Sequence, residues 1–503
     1  LTLGAGGGTI SIGSSGTILT TAKLTGSGKL IKEGTGRLAF SVANNYTGGT
    51  VIKGGSIGLV NDVANTSGLG TADTITFQGG TLVMFDSNTT DNTSYWNIKV
   101  PTGYVGTLNT DGLSTINGTL TGGGTLYYYS NYSGNILASN ASKFTGTINA
   151  TTDADGGLFA LYNSNGYANA KIVLNNLVTM IYRPTANITL PVGDLTGQVN
   201  SVLGAGGSSA CTVTWEIGAR NANSTFNGAI TNAQYTSTGA VAAIKKVGTG
   251  IWTLTNASTF TGGTTINGGT IMVSNTTGSG LGTGAVTVNT GGTLAGTGTI
   301  SGAVTVNDGG TLAPGNGAGT FTVSNNVSIG TGGTLLVDID KTNSKNDLLT
   351  LTGKLTMAGK LQINALNTTT FAMGDSIKVV NGTVVGTPTE IIPASPGDGL
   401  YWDVTDFANL GVIKVKKITG LKQQYLAGKI YPNPFKNTLK IQLEETLQNA
   451  DLQIVNLVGE IVYKSSFKET DTINLNLEHL QTGVYLLQIK DGDKVVSQKL
   501  VKQ

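Results

Sequence analysis

The sequence predicts an all-β protein in two parts, a long β-solenoid over residues 1–416 and a small antiparallel, Ig-like β-sandwich over 430–503. Three observations predict it. The first is a short phrase, Gly-Gly-Thr followed by an aliphatic residue. It stands at Gly79–Leu82, Gly268–Ile271, Gly291–Leu294, Gly309–Leu312 and Gly332–Leu335, with variants at Gly7–Ile10 and Gly123–Leu126. In the second half one first Gly follows the next by 23, 18 and 23 residues, a spacing that suits one turn of a solenoid. The second observation is a multi-rung segment that occurs twice. The third is a change of composition near residue 420.

Each word of the phrase has a physical role. Gly-Gly supplies a turn that needs positive φ without a Cβ clash. Thr and the aliphatic residue then start a strand whose side chains alternate in and out. The bulk numbers agree. Gly is 75 of 503 residues, Pro only 9, and charged residues 12%, about half the ordinary share. Disordered chains carry more charge and fewer β-branched residues. A net charge of +2 argues against a nucleic-acid partner or an anionic membrane surface. No stretch approaches the ~18 apolar residues of a membrane helix. Leu1 opens directly into repeat-like sequence with no leader, so the start reads as processed, cut, or part of a longer chain.

Taking the chain in order, Lys32-Glu33-Gly34-Thr35-Gly36 reappears as Lys246-Val247-Gly248-Thr249-Gly250. Tyr46–Gly55 reappears as Phe260–Gly269 at the same offset, and Ser67–Thr71 as Ser279–Thr283 after a two-residue slip. The clear copies span 32–85 and 246–295. The run 248–256, Gly-Thr-Gly-Ile-Trp-Thr-Leu-Thr-Asn, followed by 259–274, resembles the autotransporter-associated β-strand repeat of large bacterial surface proteins. That resemblance implies a right-handed parallel β-helix. Rungs of ~20 residues stacked ~4.8 Å apart would make a rod on the order of 100 Å long.

Between about 86 and 240 the phrase weakens and aromatics appear: Tyr95, Trp96, Tyr127, Tyr128, Tyr129, Tyr132, Tyr162, Tyr182 and Trp215. They either stack in the core or form an exposed strip for sugar rings. Among three consecutive tyrosines on a strand at least one ring must face out. From 321 to 416 longer alternating strands, such as Thr334–Asp340 and Gly411–Val415, read as closing rungs that cap the solenoid.

From 421 onward Gly stands only at 428, 459, 483 and 492, and charge rises. Residues 417–429 read as a linker. Alternating segments at 438–443, 451–455, 460–464, 472–477, 484–489 and 494–501 predict the sandwich. Ile430-Tyr431-Pro432-Asn433-Pro434-Phe435, then Leu452–Val462 with Gly459, Leu480–Ile489 with Gly483 and Tyr485, and Lys499-Leu500-Val501-Lys502-Gln503 resemble the type A sorting domain of type IX secretion. The resemblance implies export to the outer surface of a Gram-negative bacterium. It implies as partners the outer-membrane translocon and its shuttle barrel, with Tyr431, Pro432, Asn433, Pro434, Gly459, Gly483, Tyr485, Lys499, Leu500 and Val501 as the recognised residues. Pro432 and Pro434 fix φ and lack N–H groups, so they mark a stiff edge or entry segment. The last strand, ending at Gln503, is expected to leave an edge that a partner completes by β-augmentation.

Chemistry is sparse. The only histidine, His479, lies in the last domain, which excludes a catalytic His in the rod and zinc sites built on His and Cys. Cys211 is alone, so no disulfide forms within the chain, and it reads as a small core residue. Asp338 with Asp340, and Asp153 with Asp155, are spaced to share a cation but read more simply as solvated or turn residues. Arg37, Arg183 and Arg220 stand in no carboxylate cluster. Asp73-Thr74-Ile75, Asp375-Ser376-Ile377 and Asp471-Thr472-Ile473 resemble a short bacterial O-glycosylation sequon. The expectation is a secreted or surface-displayed, adhesin-like protein with no catalytic site, cofactor or metal, whose rod contacts a glycan or another cell surface. The alternatives are a polysaccharide-binding or polysaccharide-degrading β-helix, and a passive spacer for a domain upstream of Leu1.

Overall fold

The computed structural model describes the chain except residues 15, 61–66, 72–73, 86–91, 112–113, 131–135, 138–139, 154, 162–163, 165, 184, 207–209, 234–238, 419–427, 458 and 492–493. Tyr132, Tyr162, Asp73 and most of the expected linker therefore lie outside the described residues. The chain divides into two compact units, Leu1–Lys416 and Lys417–Gln503.

The first unit is a β-solenoid of about 14 turns. Its successive rungs pair in parallel, and the repeated phrase sets their register. Ile271 lies on Leu294, Leu294 on Leu312, Leu312 on Leu335 and Leu335 on Leu361. All five are fully buried. One position earlier, Thr270, Thr293, Thr311 and Thr334 form a half-exposed column on the outside. The same rule holds in the first half, where Leu38, Ile57, Leu82, Leu108 and Tyr128 stack inward. Two shorter ladders of seven strands each complete the walls of the earlier rungs. At ~4.8 Å per rung the rod is roughly 70 Å long. It is shorter than the sequence expectation because many rungs exceed 20 residues, pairing Ile188 with Val213 and Thr212 with Val241.

The duplicated segment contains a device that its sequence did not announce. Lys32 and Lys246 sit at matching places and are buried. Lys32 Nζ donates to the carbonyls of Glu33 (2.6 Å), Gly34 (3.2 Å) and Gly54 (3.2 Å). Lys246 Nζ donates to Val247 (2.7 Å) and Gly268 (3.4 Å). Each ammonium fills a turn and donates to its carbonyls, among them Glu33 O, which also accepts the Ile12 N–H of the neighbouring rung. Gly269 closes over it with φ +60°, where a Cβ would meet Gly250 O at 2.5 Å and Lys246 Nζ at 2.8 Å. Burial lowers both lysine pKa values, that of Lys246 to about 8.

At the far end the ladder stops by changing direction. Strand Ser376–Lys378 pairs antiparallel with Val412–Lys417. Ile377, Trp402, Phe407 and Ile413 are buried there, with the Phe371 ring edge-on to Trp402 at 4.8 Å. Asp347 lies in the rungs just before this cap. It is buried and accepts the N–H groups of Gly319 and Asp338, both at 2.8 Å.

Burial outweighs those two bonds and pushes the Asp347 carboxyl up to about 7. A raised folded pKa means that its stabilisation is complete below its ordinary value near 3.8 and is lost as pH rises through about 7. Thermal unfolding followed by circular dichroism is expected to give a higher Tm at pH 5 than at pH 8. Asp347→Asn is expected to remove most of that difference; a variant with the parental pH slope would contradict the assignment.

Candidate functional site

The acidic pairs in the rod are engaged as structural groups. Asp153 Oδ1 accepts the Asp155 N–H at 3.1 Å, which closes a turn. Asp338 Oδ1 accepts Asn364 Nδ2 at 2.8 Å. Asp340 Oδ2 accepts Asn343 Nδ2 and Asn367 Nδ2, both at 2.7 Å, and these bonds hold its carboxyl below the usual range. Among the described residues no three His, Cys, Asp or Glu side chains gather closely enough to hold a metal ion. Arg220 Nη1 donates to the carbonyls of Thr145 (2.9 Å) and Asn169 (2.6 Å), stapling rungs rather than facing a substrate. Cys211 is buried, and burial pushes its thiol pKa up. Ser376 faces solvent beside buried Ile377, while Asp375 pairs with Lys341 at 2.5 Å.

The aromatics divide between core and surface. Trp96, Tyr128, Tyr182 and Trp215 are buried, whereas Tyr95 is 72% and Tyr127 39% exposed. Of the three consecutive tyrosines only the middle one points inward. Along one corner of the rod Asn289 Nδ2 donates to Asn267 Oδ1, and Asn307 Nδ2 to Asn289 Oδ1, both at 2.7 Å. With Thr290 and Asp308 this amide ladder lines an open cavity of about 540 Å³.

The second unit gathers most of the predicted recognition residues. It is an antiparallel sheet of five strands: Gly428–Tyr431, Thr438–Val455, Ile461–Asn476, Gly483–Asp491 and Lys494–Lys502. Two pairs of expected short strands are single long ones. The 438–455 strand passes through a register shift between Gln442 and Leu447. Its early half pairs with the first strand and its late half with 483–491. Both halves line one core with Leu439, Ile441, Leu452, Ile454, Leu487 and Leu500.

The proline segment clasps the last strand. Asn433 Nδ2 donates to Lys499 O at 2.8 Å, and Asn433 Oδ1 accepts the Val501 N–H at 2.9 Å. Phe435 N–H donates to Val501 O (2.8 Å), and Gln503 N–H to Phe435 O (2.9 Å). A side-chain amide thus replaces a peptide unit where Pro432 and Pro434 have no N–H to give. The edge expected to stand open over 499–503 is occupied by the chain itself. Lys502 locks the same place from inside. It is buried, its Nζ donates to Leu477 O (2.6 Å) and Glu478 O (3.2 Å), and it lies 5.8 Å from the centre of the Phe435 ring.

The predicted residues therefore separate. Asn433, Lys499, Leu500 and Val501 meet in the clasp, with Pro434 leading to Phe435. Tyr485 pairs with Leu500 and Gly483 with Lys502 in the neighbouring strand, and Tyr485 OH donates to Gln481 O at 2.7 Å. A Cβ at Gly483 would meet nothing nearer than 3.7 Å, so packing does not demand glycine there. Gly459, at φ +85°, belongs to its own turn, where its N–H donates to Asn456 O. Tyr431 and Pro432 instead line an open cavity of about 480 Å³ with Thr438, Lys440, Asn474 and Asn476. Lys502 escaped the sequence expectation, although it alternates onto the face of Leu500.

Residues 429–503 match the family model of the secretion system C-terminal sorting domain. The chain carries a type IX sorting signal. Residues 30–57 and 244–273 each match the passenger-associated-transport-repeat, and each match contains one of the buried lysines. No curated protein matches the chain. The sorting domain implies contact with the secretion machinery and export to the surface or the extracellular space. No helix among the described residues is long and apolar enough to cross a membrane.

Asn433→Ala removes two bonds from the last strand, each worth about 1 kcal/mol. Hydrogen exchange read by mass spectrometry is expected to show faster exchange over 499–503, with the rod unchanged. Lys502→Met is expected to act more strongly, because it removes the buried ammonium from Leu477 O, Glu478 O and the face of the Phe435 ring. Parental exchange in both variants would contradict the clasp.

Proposed function

We propose that this protein is exported by type IX secretion and works outside the cell as an adhesive, non-catalytic rod. The observation that carries the reading is the joining of a sorting domain to a solenoid whose outer positions repeat uncharged hydroxyl and amide groups. The threonine column and the Asn267–Asn289–Asn307 ladder present the same chemistry once per rung. Such groups bond weakly one at a time, but a ligand with its own repeat engages several together and gains avidity without any single strong contact. A glycan or a polymer-coated surface is a ligand of that kind.

The sorting domain supplies transport in this scheme, and the rod supplies contact. The interior of the rod supports the division, since its aliphatic columns and the indoles of Trp215 and Trp252, bonded to Gly204 O and Leu195 O, build a packed wall.

Deleting 429–503 is expected to leave the protein inside the cell envelope on fractionation. Cells that export an unrelated carrier fused to 429–503, in place of residues 1–416, are expected to attach less to surfaces than cells exporting the whole chain. Equal attachment would contradict the adhesive role. Incubation of the purified chain with pectin or alginate is expected to release no shorter products; release of oligosaccharides would support a degrading enzyme instead.

A further inference from the structure

One stretch of the rod's outer wall differs in chemistry from the threonine columns. Thr107, Tyr127 and Asn149 are paired across three successive rungs, and Asn109, Tyr129 and Thr151 run beside them. Residues paired in a parallel ladder share a face. Their inward neighbours Leu108, Tyr128 and Ala150 are buried, so these six point outward. Tyr127 is 39% exposed and Tyr129 half-buried. Two residues apart on one strand, the two rings stand ~7 Å from each other. The strand beneath them is anchored from inside, because Tyr128 packs against Phe159 with ring centres 5.1 Å apart. Asn149 is oriented as well. Its Oδ1 accepts Asn175 Nδ2 at 2.5 Å, and Asn175 Oδ1 accepts Gln198 Nε2 at 3.1 Å. Among the described residues the Asn149 Nδ2 has no partner. None of the six carries charge; Asp111 ends the strand that carries Thr107 and Asn109, and Lys171 pairs with Thr147 in the adjoining column.

We propose that this face binds a neutral polysaccharide, with sugar rings stacked on Tyr127 and Tyr129 and hydroxyls bonded by the Asn149 amide and the two threonines. The proposal rests on the adhesive reading and gives it an address. An exposed aromatic ring fixed on a rigid strand offers a flat apolar surface at little entropic cost. That surface fits the C–H face of a pyranose, and amides and hydroxyls at one-rung spacing fit its edge. Nucleic acid or an acidic polymer would call for cations, which these six positions lack. A protein partner would call for a wider, well-packed apolar centre.

The test is titration calorimetry of the whole chain with neutral hexasaccharides of glucose, mannose, galactose and xylose, with an alginate hexamer as the acidic comparison. At least one neutral hexasaccharide is expected to bind. Tyr127→Ala with Tyr129→Ala is expected to weaken it by about tenfold or more, and Tyr127→Phe with Tyr129→Phe to restore it, with parental circular dichroism in both. Binding of alginate alone, no neutral binding, or unchanged affinity in the double alanine variant would overturn the proposal. Attachment assays separate this outcome from the broader reading. Cells that still attach through the rod, without hexasaccharide binding, refute the site and keep the adhesive role. Hexasaccharide binding without attachment keeps the site and refutes the role.

Discussion

Everything in the rod depends on like residues lying on like residues. Each aliphatic side chain after a Gly-Gly turn rests on its counterpart one rung away, and the parallel hydrogen-bond ladder holds the pair in place. A one-residue slip would turn the whole column outward, because the side-chain period of a strand is two. The turns therefore carry as much of the specification as the strands. They must return the chain to the same position after rungs of unequal length, as the pairs Gly269–Gly292 and Thr293–Thr311 show. Stability then accumulates from neighbour contacts, which is why a chain with 12% charged residues and modest aromatic content builds a long body.

A buried ammonium is the second recurring device. Lys32 and Lys246 each hold the carbonyls of a glycine turn, and Lys502 does the same for the carbonyls of Leu477 and Glu478 in an unrelated fold. Burying a charge without a carboxylate is costly unless polar groups surround it. Here backbone carbonyls do so, and the lysine in turn fixes the turn that supplies them. In the sorting domain the effect is to bring three separated motifs together: the proline segment, the 477–485 stretch and the last strand. The signal is a folded object whose parts are joined by bonds that only the folded domain supplies.

Much of this was legible in the sequence. The Gly-Gly-Thr-aliphatic phrase gave the rung register because its four positions have four distinct physical requirements. The tyrosine triplet resolved as strand parity requires. Other features were hidden for definite reasons. A lysine in an alternating strand reads as solvated, and only the position of the next rung's glycine shows that Lys246 is enclosed. Rung length was overestimated in regularity, since connections between strands can lengthen without disturbing the ladder. The bond between Asn433 and Val501 joins residues 68 apart in the chain, and no local periodicity encodes it. The edge read as open from strand order alone is filled by the Asn433 side chain and the Phe435 backbone, a pairing that strand patterns do not describe.

The division between a transported rod and a transporting domain is tested most directly by peptide mapping of the protein recovered from outside its cells. The account predicts peptides from across residues 1–416 and few or none from 429–503, since a signal has served its purpose once the rod is outside. Recovery of both regions in equal amounts from protein attached to a surface would contradict it, and would make the clasped domain part of the working molecule.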